Sequence, residues 1–365
     1  MNSMLDNAEK LRVKDLIVRF YTYEGIVKAV EKANLNLIKG ETLGIVGETG
    51  SGKSVTALTI MALTPPPGKV EGGSILFQRA TGEVVDILKL NEAVLLKIRG
   101  KEISMIFQEP NAALDPLYTV GDQIAEALLT HRRAEMLEAA RELEAVESRG
   151  LWKILKNIPY FRERFKEKLL KKAAQKEIIE LLRLMEIPDP ERIINAYPHE
   201  LSGGMQQRIV IAIALACSPA VLLADEPTTN LDVTVQAQIL DLIRRLKERF
   251  KTSVIYITHD MGVIAELSDR VAVMYAGNVV EVAPTREIFK NPLHPYTKAL
   301  LDSIPRPGSP FKSIPGIVPN LVNPPSGCRF HPRCSYVMDR CIEGTPPLIE
   351  VSKGHYVACF LHGGA

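Results

Sequence analysis

The 365-residue sequence has little net charge and no long hydrophobic run, and each absence excludes a class of protein. Its 45 Lys and Arg residues nearly balance 43 Asp and Glu residues, and a net charge of +2 gives no reason to expect a nucleic-acid-binding protein. The longest uncharged apolar run, residues 209–224, is interrupted by Ser218 and Pro219. It therefore predicts a buried helix followed by a buried strand instead of a membrane span. Charges throughout residues 1–20 predict that no secretory signal is present.

Cysteine is scarce outside the last part of the chain. Cys217 lies within the apolar run and is expected to be a small core residue. The other four of the five cysteines, Cys328, Cys334, Cys341 and Cys359, are close together near the C terminus. Because no secretory signal is expected, a pair of disulfides is the less favoured use of this cluster.

The order of sequence patterns predicts the fold class. The composition, 46% hydrophobic and 24% charged, is typical of a folded globular protein, and the length exceeds what one core of about 250–300 residues can serve. Residues 11–46 predict short strands, residues 119–184 predict charged helices, and alternating strands and helices resume at residue 221. This order predicts an α/β unit with a parallel sheet and a helical insertion. Thirteen of the 24 prolines lie between residues 284 and 347, so we expect the tail to hold neither a regular sheet nor long helices.

A phosphate-binding motif follows the strand LGIV and precedes an apolar helix. Residues 47–54, GETGSGKS, match G-x-x-x-x-G-K-[ST] at every fixed position. Glycines allow backbone N–H groups to surround phosphate oxygens, while the lysine reaches the β- and γ-phosphates and the final hydroxyl ligates Mg²⁺. The predicted ATP-binding residues of this motif are Gly47, Glu48, Thr49, Gly50, Ser51, Gly52, Lys53 and Ser54.

Two adjacent carboxylates, Asp225 and Glu226, follow a second apolar strand, residues 221–224. An aspartate at a strand end can hold Mg²⁺ through water, and the next carboxylate can orient or deprotonate an attacking water. The apolar residues before the pair exclude water, which strengthens electrostatic effects on a phosphoryl group. We therefore predict that Asp225, with Ser54, belongs to an Mg²⁺ site and that Glu226 is the catalytic base.

The segment LSGGMQQR, residues 201–208, stands upstream of this acidic pair and resembles the signature sequence of ATP-binding cassette (ABC) ATPases. The resemblance implies that the signature faces away from its own phosphate loop and completes the site of a second subunit across a dimer. ATP binding then favours the closed dimer and hydrolysis releases it. The residues implied to contact the partner's ATP are Leu201, Ser202, Gly203, Gly204 and Gln206.

Other residues resemble further elements of that family. The resemblance implies that Gln108 in IFQEP senses Mg²⁺ and the attacking water, and that His259 in ITHD contacts the γ-phosphate. It places Asp232 in TTNLD in the loop that crosses to the partner subunit. Tyr23, with Tyr21 as the alternative, resembles the aromatic residue that stacks on adenine. The implied catalytic residues are thus Glu226, His259 and Gln108.

Two longer segments, YPHELSGGMQQR and NPLHPYTKALLDSIP, resemble the ATPases of oligopeptide and dipeptide importers. In such systems two ATPase subunits energise two membrane-spanning subunits that are supplied by an extracytoplasmic solute-binding protein. The resemblance implies a peripheral protein at the cytoplasmic face of the membrane, with a paralogue as its partner ATPase. The alternatives are an importer ATPase for a sugar or a metal, a soluble ABC ATPase without a transport role, and a redox sensor that retains a cassette.

The resemblance also implies a domain organisation. Residues 11–282 are expected to form a P-loop ABC ATPase core with an N-terminal antiparallel β subdomain, and residues 283–365 an irregular extension. An inserted helical subdomain is expected at about residues 119–205, with a charged insert at about 131–176. Within that insert, residues 149–172 are basic with interleaved apolar residues. This pattern suits either contact with anionic lipid or a membrane subunit, or a solvated helical hairpin.

The spacing of the tail cysteines, C-x5-C-x6-C-x17-C, lacks the close pairs of structural zinc sites. Four thiolates on irregular backbone are equally the ligand set of a [4Fe–4S] cluster, and the importer resemblance implies that Cys328, Cys334, Cys341 and Cys359 hold one. Zn²⁺ and free or disulfide-paired thiols are the alternatives. A proline-rich tail with few apolar residues buries little surface, so we expect metal ligation to contribute to its order.

Overall fold

The computed structural model describes residues 5–147, 159–229, 231–305 and 313–363, and the chain divides into two compact units. The first unit comprises Met1–Leu96, Ala220–Glu226 and Ile243–Ala365. The second unit comprises Lys97–Pro219 and Pro227–Leu242. Within the described ranges, no helix combines the length and the apolarity that crossing a bilayer requires.

An antiparallel sheet forms at the start of the first unit because apolar residues alternate along its strands. In β1 (Glu9–Thr22), the side chains of Leu11, Val13, Leu16 and Val18 are buried, while their neighbours are more exposed. The other strands are β2 (Gly25–Ile38), β4 (Gly68–Gln78) and β5 (Val84–Asp86). They are arranged in the order β2-β1-β4-β5, which confirms the predicted antiparallel subdomain.

A parallel sheet forms the core of the first unit. Its strands are β3 (Thr42–Val46), β7 (Val221–Asp225), β8 (Ser253–Thr258) and β9 (Arg270–Tyr275). The four strands lie in the order β9-β3-β8-β7 with parallel pairing, and almost all of their residues are buried, as expected for a sheet covered on both faces. Because the strands are parallel, the loops that follow β3, β7 and β8 meet at one edge of the sheet.

Helices of the first unit follow these strands. They are α1 (Lys53–Ile60), α10 (Met261–Leu267), α11 (Thr285–Lys290), α12 (Pro295–Asp302) and α13 (Asp339–Glu343). Short 3₁₀ helices span Ile87–Lys89, His331–Arg333 and Phe360–His362. Pro295 is the first residue of α12, a position where the missing N–H of proline leaves no hydrogen bond unmade.

The C-terminal tail contributes strands to the sheet. Strand β10 (Asn278–Pro284) pairs antiparallel with β9, and β12 (His355–Val357) and β11 (Ile349–Ser352) continue the sheet beyond β10. The prediction that the tail holds no regular sheet was therefore wrong. The physical reason is that the prolines end at Pro347, so the residues after it keep the N–H groups that a strand needs.

The second unit is mostly helical. It contains the strand β6 (Ile103–Ile106), the 3₁₀ helix Pro198–Glu200, and the helices α3 (Pro110–Ala113), α4 (Val120–His131), α5 (Arg133–Glu147), α6 (Pro159–Leu184), α7 (Pro190–Ile193) and α8 (Gly203–Leu215). Two helices, α2 (Glu92–Ile98) and α9 (Val233–Phe250), have residues in both units. The predicted helical insertion is confirmed. Cys217, just after α8, is buried, which confirms its assignment to the core.

The charged insert is described in part. Its residues 148–158, including Trp152, lie outside the described residues, as do the side chains of Phe161 and Phe165. At its C-terminal end, Leu169 packs with Ala140 and Ala173, and all three are at most 5% exposed. At this end of the insert, the interleaved apolar residues therefore face the helical core, as in a hairpin whose apolar face packs inward.

Candidate active site

The loop after β3 carries the predicted phosphate-binding residues, and Glu226 and His259 directly follow β7 and β8; all of these residues belong to the first unit. The loop after β3 holds residues 47–52, Glu226 follows β7, and His259 follows β8. The parallel sheet thus brings together side chains that lie far apart in the sequence. In open α/β sheets this carboxyl edge is where ligands bind.

The phosphate loop depends on two glycines for its path. A Cβ atom at Gly47 would overlap the carbonyl oxygen of Met274. At Gly52, φ is +96° and a Cβ atom would lie 2.6 Å from the carbonyl oxygen of Ala29. Any side chain at either position would displace the loop from the sheet edge, and α1 begins directly after Gly52. The loop therefore presents backbone N–H groups and a helix N-terminus to the same space.

Lys53 is held inside this loop. Its Nζ donates to the carbonyl oxygens of Gly47 at 2.7 Å and Glu48 at 3.1 Å, and the residue is buried. Burial lowers the pKa of Lys53 below its ordinary value, and the carboxylates of Glu226 and Asp225 partly offset that effect. An ammonium group at this place, surrounded by weak carbonyl acceptors, can exchange them for phosphate oxygens.

Ser54 and Asp225 supply hard oxygen donors beside the lysine. The Ser54 hydroxyl donates to Asp225 Oδ1 at 3.1 Å, and Asp225 is buried at the end of β7. Burial raises the pKa of Asp225, against the lowering effect of the Ser54 hydrogen bond. One hydroxyl and one carboxylate are hard oxygen donors, so Ser54 and Asp225 would hold Mg²⁺, which would neutralise charge on a bound phosphate.

Glu226 and His259 form the third part of the site. His259 Nδ1 lies 3.1 Å from Glu226 Oε1, and the Glu226 side chain is 15% exposed while that of His259 is 61% exposed. Glu226 has φ +46°, a left-handed conformation that costs a non-glycine residue about 1 kcal/mol or more. Its backbone N–H donates to the carbonyl oxygen of Ile257 in β8 at 2.9 Å, so a hydrogen bond to the neighbouring strand holds this conformation.

The signature segment lies in the second unit, at the start of α8. Ser202 is the N-cap residue of α8, and its hydroxyl accepts a hydrogen bond from the N–H of Met205 at 3.4 Å. A Cβ atom at Gly203 would meet open space. Leu201 and Gln206 are buried, and the Gln206 amide donates to the carbonyl oxygen of Pro198 at 2.8 Å. These two residues shape the turn, whereas Ser202 and Gly203 lie at the surface.

Gln108 and Asp232 also lie in the second unit. Gln108 follows β6 and is exposed. Asp232 Oδ1 accepts hydrogen bonds from the N–H groups of Thr234 and Val235, both at 3.0 Å, so it caps the start of α9. That cap is a structural use the sequence analysis missed, although an aspartate directly before a helix is a signal for it.

Two further residues that the sequence analysis did not single out contact the phosphate loop. Arg333, from the 3₁₀ helix before Cys334, forms an ion pair with the carboxylate of Glu48, with Nη1–Oε2 at 2.8 Å. The backbone N–H of Glu48 donates to the hydroxyl oxygen of Tyr296 at 2.9 Å. No sequence signal pairs these residues with the loop, because their contact depends on how the tail folds back.

The four tail cysteines line one small cavity in the first unit, together with Phe330, His294 and Phe360. All four are free thiols, and the N–H of Cys328 donates to the carbonyl oxygen of Cys341 at 2.8 Å. Burial raises the pKa of Cys328 to about 11. Across the described ranges, no group of three or more His, Cys, Asp or Glu side chains is arranged to hold a metal ion. The cavity therefore brings four soft ligand atoms to one place, without the tight geometry of a bound ion.

Two family models match the sequence. The ABC transporter model matches residues 30–229, and the model of the oligopeptide/dipeptide transporter C-terminal region matches residues 280–341. The first match covers the phosphate loop, the signature segment and the acidic pair. The second begins in β10 and covers three of the four tail cysteines.

Two proteins of Bacillus subtilis (strain 168) are similar over almost the whole chain. The oligopeptide transport ATP-binding protein OppD is 48% identical over 356 residues, which is 96% of this chain and 88% of OppD. The dipeptide transport ATP-binding protein DppD is 46% identical over 355 residues, which is 96% of this chain and 94% of DppD. Among solved structures, the ATP-binding cassette MJ0796, dimeric and bound to ADP and Pi, is 28% identical with a TM-score of 0.55. That likeness covers 76% of this chain and 99% of the MJ0796 chain.

Proposed function

Because this chain belongs to the ABC transporter family of ATPases, we propose that it hydrolyses ATP at the carboxyl edge of its parallel sheet and thereby drives import of di- or oligopeptides. The observation that carries the proposal is the convergence of Lys53, Ser54, Asp225, Glu226 and His259 at that edge. A cation, two hard oxygen donors and a carboxylate–imidazole pair are the parts that phosphoryl transfer to water needs.

Each of these side chains has a distinct role in the proposal. Lys53 exchanges its loop carbonyls for β- and γ-phosphate oxygens of ATP, and the N–H groups of residues 48–53 surround the β-phosphate. Ser54 and Asp225 hold Mg²⁺, which neutralises charge on the phosphates. Glu226 accepts a proton from the attacking water, while His259 orients Glu226 and contacts the γ-phosphate. Gln108 responds to Mg²⁺ and the attacking water.

A second ATPase subunit completes the site. Ser202, Gly203 and Gly204 lie at the start of α8, where a helix N-terminus favours an anion, and in the proposal they contact the γ-phosphate bound to the partner. Asp232 belongs to the loop that reaches the partner. The partner ATPase is a paralogue, two membrane subunits lie above the pair at the cytoplasmic face of the membrane, and an extracytoplasmic binding protein delivers the solute. The dimeric state of MJ0796 supports the pairing of two ATPase subunits.

Peptides are the solute class that the similar proteins support. OppD is described as an oligopeptide transport protein and DppD as a dipeptide transport protein, and both are similar along nearly the full length of this chain. The solute itself contacts other subunits of an importer, so it leaves no residue pattern in this chain.

The tail cysteines hold a [4Fe–4S] cluster in this proposal. Cys328, Cys334, Cys341 and Cys359 line one cavity, and thiolate is the ligand that such clusters use. The cluster would connect four points of the C-terminal extension and so stabilise its fold. The domain limits proposed with it are an ATPase core over residues 11–282, with the helical subdomain at about 119–205, and the extension over residues 283–365.

The replacement Glu226→Gln tests the hydrolytic role. An amide cannot accept the proton from water, so kcat falls by about 10²–10⁴-fold while ATP is still bound, because the phosphate contacts do not involve this side chain. The measurements are phosphate release by the assembled transporter and retention of labelled ATP.

Glu266→Gln is the matched control, because Glu266 is exposed on α10 of the same unit. It should hydrolyse ATP at the wild-type rate. Rapid hydrolysis by the Glu226→Gln variant would remove Glu226 from its proposed role.

A further inference from the structure

The carboxylate of Glu48, in the phosphate loop, points into the C-terminal extension. Its two oxygens accept from Arg333 in a fork, with Nη1–Oε2 at 2.8 Å and Nη2–Oε1 at 3.1 Å. Both residues belong to the first unit, and Cys334 directly follows the 3₁₀ helix that carries Arg333. This two-pronged geometry fixes the direction of the Glu48 side chain as well as pairing its charge.

Burial and further hydrogen bonds hold the Arg333 side chain in place. It is 8% exposed, its Nε donates to the carbonyl oxygen of Pro315 at 2.7 Å, and its Nη1 lies 3.3 Å from the Tyr275 hydroxyl. Burial acts to lower the pKa of Arg333, but the hydrogen bonds with Glu48 and Tyr275 outweigh it, so the pKa lies above its ordinary value. Arg333 is therefore a permanent cation whose position follows the fold of the extension.

The backbone of Glu48 is held by the same region. Its N–H donates to the hydroxyl of Tyr296, which is fully buried in α12. The ring of Tyr296 packs against Tyr275 with centroids 4.6 Å apart and against Phe330 with centroids 5.3 Å apart. Phe330 also lines the four-cysteine cavity. An aromatic cluster thus connects that cavity to the phosphate loop.

The charge of Glu48 acts on the phosphate-binding lysine. Lys53 Nζ donates to the carbonyl oxygen of Glu48 at 3.1 Å, so the two residues are neighbours in the loop. Burial lowers the pKa of Lys53, and the carboxylates of Glu226, Asp225 and Glu48, in that order, raise it, which means that Glu48 also attracts the ammonium. An unpaired carboxylate at this position would compete with phosphate for the Lys53 ammonium and would repel the triphosphate. The fork from Arg333 occupies both Glu48 oxygens and cancels the negative charge.

We propose that Arg333 is a positioning residue that sets the affinity of the phosphate loop for ATP. It holds the Glu48 carboxylate and neutralises its charge, so that this carboxylate does not compete with phosphate for the Lys53 ammonium. The inference rests on the proposed ATPase function and adds a dependence of the nucleotide site on the C-terminal extension. Arg333 acts through Glu48, and its further hydrogen bonds are to Pro315 and Tyr275, which are not predicted ATP-binding residues.

Variants of the full-length chain test this role by equilibrium titration with a fluorescent ATP analogue, followed by KM and kcat in the assembled transporter. Arg333→Met leaves Glu48 unpaired, and we expect the Kd and KM for nucleotide to rise about tenfold, the size of one charge interaction at a partly exposed site, with kcat changed much less. Glu48→Gln removes the repelling carboxylate, so its Kd for nucleotide should lie well below that of Arg333→Met. The double variant Arg333→Met/Glu48→Gln should recover most of the lost affinity, which a merely structural role of Arg333 would not produce.

Arg340→Met is the matched control, because Arg340 lies in the same extension and contacts Phe360. Its nucleotide affinity should equal that of the wild type. Unchanged affinity in a folded Arg333→Met variant, or a Glu48→Gln variant that loses as much affinity, would overturn the inference. If Arg333→Met does not fold, as judged by its melting curve without nucleotide, Arg333→Lys takes its place. Arg333→Lys should bind nucleotide with an affinity between those of the wild type and Arg333→Met, and adding Glu48→Gln should restore the lost affinity. Failure of the wild-type chain to bind ATP would instead refute the proposed function.

Discussion

The two tyrosines near the end of β1 have different surroundings. The Tyr21 hydroxyl donates to Glu71, and the Lys69 ammonium lies 5.3 Å from the centroid of the Tyr21 ring. Tyr23, in the turn between β1 and β2, is 98% exposed. A ring that is open on both faces can stack on a base, whereas a ring approached by a cation has one face less to offer. This difference favours Tyr23 as the adenine-stacking residue.

We expect Tyr23→Ala to weaken ATP binding by about fivefold or more, because stacking of a base on an aromatic ring contributes about 1–3 kcal/mol. Tyr23→Phe keeps the ring and should bind ATP as the wild type does. Both are measured by titration with a fluorescent ATP analogue. If Tyr21→Ala loses affinity while Tyr23→Ala does not, the adenine stacks on Tyr21 instead.

Among the residues of the candidate site, the sequence predicts those whose role depends on their immediate neighbours in the chain. Lys53 and Ser54 are recognisable because the chemistry of phosphate binding requires a short run of fixed residue types directly before a helix. The ion pair between Glu48 and Arg333 joins residues 285 positions apart. Neither charge has a periodicity or a neighbour that predicts the other, so only the folded tail reveals the pair.

The C-terminal extension contacts two separate segments of the proposed nucleotide site. Arg333 pairs with Glu48 in the phosphate loop. The carbonyl oxygen of Leu321 accepts from the N–H of Lys28 at 2.9 Å, and a Cβ atom at Gly25 would lie 2.6 Å from Val322 Cγ1. That second contact abuts the turn that carries Tyr23. The extension is therefore packed against the segments proposed to bind the phosphates and the adenine.

The proposed cluster is tested by the metal content of the chain purified without oxygen. We expect iron and sulfide in the wild type, with absorbance from thiolate-to-iron charge transfer, because four thiolates are its ligands. Cys341→Ser should lose the iron and melt at a lower temperature, since the cluster connects distant parts of the extension.

Cys217→Ala is the matched control for that experiment, because Cys217 is buried in the second unit and is not one of the residues that line the four-cysteine cavity. It should keep the iron of the wild type. Zinc without iron, or no metal at all in the anaerobic wild-type protein, would contradict the cluster.

Short strands of the C-terminal extension could not be predicted from the sequence, unlike the strands of the parallel sheet. The parallel strands β3, β7 and β8 are predictable because each is a continuous apolar run before a glycine or a polar residue. The edge strands β11 and β12 have only four and three residues, too few for a hydrophobic pattern. They form because β10 offers an unpaired edge, which is a property of the assembled sheet.

For the whole molecule, the proposal assigns complementary halves of the ATPase site to the two units. The first unit holds the phosphate loop, the acidic pair and His259, and the second holds the signature segment. In the proposed sandwich each nucleotide contacts the first unit of one subunit and the second unit of its partner. ATP then stabilises the dimer, and its hydrolysis weakens the dimer, by the linkage between ligand binding and assembly.

This linkage predicts the oligomeric state of the Glu226→Gln variant. With ATP and Mg²⁺, the variant, alone or mixed with the partner ATPase of the same transporter, should elute at about twice the monomer mass in light scattering, because bound ATP bridges two subunits and is not hydrolysed. Adding Ser202→Ala removes a hydroxyl at the start of α8 and should return the protein to monomers at the same ATP concentration, while costing only about 1 kcal/mol as a lost helix cap. Glu266→Gln combined with Glu226→Gln is the control that keeps the dimer. A Glu226→Gln variant that binds ATP but stays monomeric, both alone and with the partner ATPase, would rule out the shared sandwich. It would not contradict the proposed hydrolytic site.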